Sequence, residues 1–332
     1  MTNIGNMYGP NFTFLGIPAC DLDKPESYKG ADVIIVGAPI DSGTSHRSGA
    51  KFGPQAIRMG DYLPHDGERP HLALRIDGLK ELKIFDAGDL LMPSGNLEEA
   101  LLVLKRATEK ISRAGAIPVV LGGDHSIASA DVAGIAEHLG KGKVSMIHFD
   151  AHADTGENQF GALIGHGTPM RRLIESGAVR GDRFLQLGLR GYWPDDATFK
   201  WMASKGMKSY EMTEIHHRGL TAVLDESFAT LTDGCDGVFL SVDIDVVDPG
   251  MAPGTGTPEP GGMTSRELLE AVRRICFELP IVGIDVVEVA PAYDSSDITA
   301  ILANRVVLEA LSAISLKKSG GAYSPTRNVL DR

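Results

Sequence analysis

Disulfide chemistry is the first thing missing from this sequence. Three cysteines, Cys20, Cys235 and Cys276, are scattered over 332 residues, odd in number and without close spacing. That excludes a disulfide framework and a cysteine-based zinc site. Basic residues are short as well: 32 Lys and Arg stand against 44 Asp and Glu, a formal net charge of -12. A nucleic-acid surface needs a basic stripe, and there is none. No Gly-x-Gly-x-x-Gly follows the first apolar run and no Gly-Lys-Ser/Thr follows Gly122-Gly123, so dinucleotide and P-loop fingerprints are absent. No apolar stretch reads as long enough to span a membrane, and Met1–Phe12 lacks a basic segment followed by an apolar run. The expectation is a cytoplasmic protein without nucleic-acid or membrane partners, in which the sequon Asn11-Phe12-Thr13 has no meaning. Repeats, charge runs and linkers are also missing, and the 39 glycines and 18 prolines are dispersed as turns.

What is present is alternation. Short strand-like runs lie at Asp32–Gly37, Lys83–Ala87, Ile117–Leu121, Val144–Phe149, Phe184–Gly188, Lys208–Glu211, Val238–Asp243 and Ile281–Val287, and most are nearly continuous Val/Ile/Leu, as expected of parallel strands covered on both faces. Between them, Glu98–Ala114, Ile127–Leu139, Pro169–Ser176, Phe199–Lys205, Leu220–Leu231, Ser265–Glu278 and Thr299–Ser315 read as helices. Thr264-Ser265 before Glu267 and Ser296-Asp297 before Thr299 look like caps. Repeated strand–helix units predict one α/β domain with a parallel sheet. The segment after Lys317 is polar and predicted to be weakly ordered.

In such sheets ligands bind beyond the carboxyl ends of the strands. Four predicted strand ends carry carboxylates and imidazoles: Gly122-Gly123-Asp124-His125-Ser126, His148-Phe149-Asp150-Ala151-His152-Ala153-Asp154, Ser241-Val242-Asp243-Ile244-Asp245, and Glu288. Alternate residues of an extended segment point one way, so Asp150, His152 and Asp154 are expected to converge, as are Asp243 and Asp245. Carboxylates this dense repel one another unless divalent cations join them. Four carboxylates and the imidazoles of His125 and His152 suffice for two ions, commonly about 3.5–4 Å apart.

These motifs resemble the ureohydrolases, the arginase and agmatinase family. Gly122–Ser126, Asp150–Asp154 and Ser241–Pro249 match its three signatures, and Gly49–Pro54, Pro253–Gly262 and Asp285–Pro291 are similar to its agmatinase branch. The likeness runs from about Asp32 to Ser315. It implies a three-layer αβα arginase-like fold with an eight-stranded parallel sheet, within a catalytic domain at 31–316 flanked by an N-terminal extension (1–30) and a tail (317–332). Trimers or hexamers of identical chains are implied too. So is two-metal hydrolysis of a guanidino compound to urea and an amine, usually with Mn²⁺. Carried over, His125, Asp150, Asp154 and Asp243 would hold one ion, and Asp150, His152, Asp243 and Asp245 the other. Asp154 would also bond the nucleophile, Glu288 would pair with the substrate guanidinium, and His166 in Gly165-His166-Gly167-Thr168 would shuttle protons. His148 is read as structural. The one-zinc deacetylase relatives lack this ligand set. On affinity order Ni²⁺ or Zn²⁺ would bind more tightly than Mn²⁺.

The far end of the substrate is expected to meet loops 155–165 and 191–196. Glu157, Tyr192, Trp193, Asp195 and Asp196 favour a cationic group, as in agmatine. Arg190, Arg47 and His46 would instead anchor a guanidino acid such as guanidinobutyrate or guanidinopropionate. Tyr192-Trp193 closing a small pocket would select guanidine, an alkylated guanidine or a biguanide. A metal-binding partner subunit without activity is the non-enzymatic alternative.

Overall fold

A computed structural model of the chain describes residues 12–61, 70–326 and 330; Asn11 of the sequon and the segment before it lie outside these. Eight strands, β1 (Val33–Ala38), β2 (Ile84–Asp89), β3 (Ile117–Gly122), β4 (Val144–Phe149), β5 (Val179–Leu189), β6 (Lys208–Glu211), β7 (Gly237–Asp243) and β8 (Ile281–Val287), form one sheet in the order β2-β1-β3-β8-β7-β4-β5-β6. Every pairing in it is parallel. Among the described residues ten α-helices accompany them: α1 (Gly53–Met59), α2 (Gly78–Glu81), α3 (Leu97–Arg113), α4 (Ala128–Leu139), α5 (Pro169–Glu175), α6 (Asp196–Ser204), α7 (Met212–Arg218), α8 (Leu220–Thr232), α9 (Ser265–Glu278) and α10 (Ile298–Lys318).

Buried strands alternate their side chains between two cores. Val33, Ile35, Val119, Leu121, Ile284 and Val286 pack with α9 and α10, while Ile34, Val36 and Val120 pack with α3. Met146 and Phe239 meet α4 and α5 on that second side. The result is the expected three-layer αβα fold. Thr264 and Glu267 close a reciprocal capping box on α9, as expected from their spacing.

Two sequence expectations need correction. Asp297 does not cap α10; it sits at φ 57 without a side-chain bond, and Asp294 accepts the Thr299 N–H instead at 2.7 Å. Helix α10 is long and apolar enough to cross a membrane by length and composition, yet 72% of its apolar window is buried in the fold. It is a core helix, which explains its lack of a polar face. Beyond α10, Tyr323 packs on Phe277 with ring centroids 6.1 Å apart.

The motif-bearing strands are consecutive: β3, β8, β7 and β4. Register aligns their ends, with Leu121 opposite Val286, Val286 opposite Val242, and Val242 opposite Phe149. Residues distant in sequence therefore emerge at one level.

Candidate metal centre

Tight turns, rather than extended segments, bring the ligands together. Strand β7 ends at Asp243 and the chain turns through a short helix at Ile244–Val246, so Asp243 Oδ1 accepts the Asp245 N–H at 2.9 Å. After β4, Asp150 Oδ1 accepts the His152 N–H at 2.6 Å. Asp154 stands in the left-handed region at φ 51. The turns at Asp243 and Asp150 each spend one carboxylate oxygen on the backbone and leave the other facing the centre. Asp124 differs: its Oδ1 accepts the Ser126 N–H at 3.0 Å and its Oδ2 the Gly43 N–H at 2.7 Å, so both oxygens are engaged. Burial, with Glu288 nearby, pushes Asp124 up to about 6.

The freed atoms face His125. Its Nδ1 lies 3.2 Å from Asp150 Oδ2, 3.1 Å from Asp154 Oδ2 and 3.1 Å from Asp243 Oδ2, with His125 only 1% exposed. One ring nitrogen carries at most one proton and cannot serve three carboxylate oxygens; among the described residues it has no hydrogen bond of acceptable geometry. Donors about 3 Å apart match neighbouring ligands on an ion with bonds near 2.1 Å. The donor set therefore fits a divalent cation. Burial opposes charge on His125, but the three aspartates hold it well above the usual imidazole range. Burial, then Asp245 and Asp150, push Asp243 well above the carboxylate range. Burial and Asp150 likewise raise Asp154.

A second cluster adjoins the first. His152 Nδ1 is 3.1 Å from Asp245 Oδ2 and 3.4 Å from Asp150 Oδ1. His148 also lies within ligand range of Asp150 and Asp154, but its atoms are committed. Gln186 donates from Nε2 to the Ala153 carbonyl at 2.7 Å, which fixes the amide, and to His148 Nδ1 at 3.1 Å. The proton is thus on His148 Nε2, which donates to Asp150 Oδ2 at 2.8 Å. His148 braces Asp150 and holds no ion.

Glu288 leaves β8 at φ 62, another left-handed non-glycine residue. Its Oε1 accepts the His125 N–H and His166 Nδ1–H, each at 2.9 Å. Its Oε2 is buried without a partner among the described residues. Burial opposes charge on His166, but Glu288 beside it raises the ring to about 9. Ser45, which sequence reasoning missed, closes on the other side: its N–H lies 3.0 Å and its Oγ 2.6 Å from His166 Nε2. The neutral ring accepts there and the charged ring donates to the hydroxyl, so Ser45 serves both states. Ser45 lies in the loop after β1, well past the strand end, and the fold brings that loop beside His166.

The distal candidates fare unevenly. Arg190 donates to the carbonyls of Gly188, Asp245, Val246, Glu259 and Pro260 through all three nitrogens, so it is a structural brace. Arg47 bonds the Thr255 and Gly256 carbonyls and stacks on Tyr293 at 4.3 Å. Asp195 caps α6 through the Thr198 N–H. Gln159 is bound between Gly43 and Gly167. Tyr192 is 96% and Trp193 73% exposed.

A carboxylate–imidazole cluster at the ends of four adjacent parallel strands defines a metal-dependent hydrolase. The pattern of the Arginase family matches residues 31–313, and the chain belongs to that family. Guanidinobutyrase of Pseudomonas aeruginosa is 36% identical over 310 residues, 92% of this chain and 93% of that protein. Mitochondrial agmatinase of Gallus gallus is 38% identical over 290 residues, 87% and 82% of the two chains. The solved proclavaminate amidino hydrolase of Streptomyces clavuligerus superposes with a TM-score of 0.82 at 34% identity, covering 93% of this chain and 99% of its own. The protein is an amidinohydrolase of the ureohydrolase type, built around a binuclear divalent metal centre and acting on guanidino compounds.

Proposed function

We propose that the chain hydrolyses a guanidino substrate whose distal group is cationic or neutral, agmatine being the first candidate, to urea and an amine. The observation that carries the guanidinium site is Glu288 Oε2, a buried and unpartnered carboxylate oxygen beside the metal cluster. A planar cation supplies the N–H donors such an oxygen needs. His125, Asp150, Asp154 and Asp243 would hold one ion and Asp150, His152, Asp243 and Asp245 the other, Mn²⁺ before Ni²⁺ on the oxygen-rich donor set. Bound ions would lower the pKa of a water to about 7 and so supply a nucleophile. Glu288 orients the substrate carbon, Asp154 accepts the proton released by the attacking water, and His166 Nε2 delivers one to the departing amine. Guanidinium and water thereby yield urea and an alkylammonium ion. Trimeric or hexameric assembly belongs to the same proposal, and light scattering reads it.

The distal preference is supported by Arg190, whose donors are engaged, by Glu157 on the loop after β4, and by the negative charge of Asp195 and Asp196 at the start of α6. A second reading, a guanidino acid, is favoured by Arg47, whose Nη1 is uncommitted among the described residues. A urea-release screen decides between them, with agmatine, guanidinobutyrate, guanidinopropionate, arginine, creatine, guanidine and substituted guanidines, under Mn²⁺ and under Ni²⁺. Cationic or neutral substrates are expected to lead in kcat/KM by roughly ten-fold, ~1.4 kcal/mol. A guanidino acid in front, with its advantage lost in Arg47→Ala, overturns the first reading in favour of the second.

A further inference from the structure

His166 is held at both ring nitrogens, and the two ends differ in kind. Nδ1 donates to Oε1 of the buried Glu288 at 2.9 Å. Nε2 meets two atoms of one residue: the Ser45 N–H donates to it at 3.0 Å, and Ser45 Oγ lies 2.6 Å away. A proton on Nε2 therefore faces the serine hydroxyl first. His166 is buried whereas Ser45 is exposed, so the hydroxyl is the solvent-side end of a Glu288–His166–Ser45 line.

The loop that carries the serine is fixed on both sides of it. Gly43 donates its N–H to Asp124 Oδ2 at 2.7 Å, and its carbonyl accepts the His166 N–H at 3.0 Å and the Gln159 amide at 2.8 Å. Beyond the serine, Arg47 Nε donates to Gly256 O at 3.2 Å. A Cβ on Gly256 would lie 2.8 Å from Arg47 O and 3.7 Å from Glu288 Oε2. The Ser45 loop thus runs alongside the unpartnered oxygen proposed to take the guanidinium. The same geometry disfavours a serine nucleophile, because the Ser45 N–H that would help hold an oxyanion is spent on the histidine.

We propose that Ser45 is a catalytic residue of the hydrolysis, passing the proton of His166 Nε2 to the departing amine. As the C–N bond breaks, its electron pair stays on the amine nitrogen. That nitrogen takes the Ser45 hydroxyl proton while Ser45 Oγ takes the proton of His166 Nε2. The serine ends unchanged, and the ring ends neutral with the Ser45 N–H donating to it. The attacking water's two hydrogens, one accepted by Asp154 and one lost as the urea carbonyl forms, balance the proton that recharges His166 and the one the free amine binds. The inference rests on the guanidino reading above and adds the group that meets the leaving nitrogen.

Ser45→Ala separates a relay from a scaffold, since it keeps the backbone N–H that holds the ring and removes only the hydroxyl. The assay uses full-length, Mn²⁺-loaded protein with the leading compound of the urea-release screen, agmatine first. Ser45→Ala should lose roughly 100-fold in kcat, the low end of what a general acid supplies. Its KM should stay within about three-fold of wild type, as for an interaction made only in the transition state. Metal content and circular dichroism should not change. Ser45→Thr, whose methyl an exposed position accommodates, should return to within about ten-fold of wild type because its hydroxyl carries the proton again. The double variant Ser45→Ala/His166→Ala should lose no more than His166→Ala alone, since groups acting as one unit are not additive. An unchanged kcat in Ser45→Ala, a loss confined to KM, no recovery in Ser45→Thr, or additive losses would overturn the relay and leave the guanidino reading standing. A wild type that releases urea from none of the screened compounds would overturn both.

Discussion

Glu288 shows what a single residue does here. Its left-handed backbone at φ 62 is uncommon for a residue with a side chain, and such strain gathers at functional sites. The turn directs one oxygen to His125 and His166 and leaves the other unpaired. Glu288→Gln keeps an acceptor for both donors but sets an amide where the orphan oxygen stood. Metal content should stay at wild-type level by elemental analysis while kcat/KM drops roughly 10- to 100-fold, from the ~1.5–3 kcal/mol of a hydrogen bond to a charged group. Normal turnover would make Glu288 a structural acid. His166 gives a pH signature. Its folded pKa is raised to about 9 from an unfolded value near 6.5, so its contribution is fully present below about 6.5 and fades as pH rises through 9. In chelator-treated protein the stability gap between wild type and His166→Ala should therefore narrow between those values. A gap that widens would contradict the charged pair. The ligand set was legible because ionisable residues closed apolar runs at four strand ends. Ser45 and the bracing role of Arg190 were not, since both depend on which loops the fold brings beside them.

At the level of elements, strand identity came through because both-face burial leaves continuous apolar runs, and β4 and β8 begin and end where those runs do. Helices α1, α2 and α7 went unread. They span 7, 4 and 7 residues, about two turns or fewer, which leaves little apolar period to read. The turns were misread for another reason: alternate-residue geometry holds inside a strand, whereas Asp245 and Asp154 lie past its end, where side-chain capping sets direction. Gly123 makes the turn after β3 possible, because a Cβ there would meet Ile40 O at 2.1 Å. Backbone cannot yield that far, so Gly123→Ala should displace His125 and lower metal occupancy as well as melting temperature. A gentler test of an element is Thr264→Ala. It opens the capping box on α9 and should cost about 1 kcal/mol by denaturant titration, with kcat unchanged because α9 packs on α10.

For the whole molecule, strand order is the feature that sequence alone withholds. Nothing local says that β8 and β7 insert between β3 and β4, and that insertion assembles the site from residues as far apart as His125 and Glu288. The same arrangement ties global stability to the ions. Asp150, Asp154, Asp243 and Asp245 stand together in the folded chain and disperse on unfolding. A cation that binds only the folded state adds about 2.7 kcal/mol at a hundred times its Kd. For a chain of this length, unfolding entropy makes that roughly 4 °C per site. Chelation should thus lower the melting temperature and Mn²⁺ should restore it, whereas Asp243→Asn, which removes a ligand proposed for both ions, should lose most of the metal-dependent rise. A chelated protein that melts where the loaded one does would mean that the aspartates are tolerated at neutral pH without cations, and the two-ion reading of the strand ends would fall.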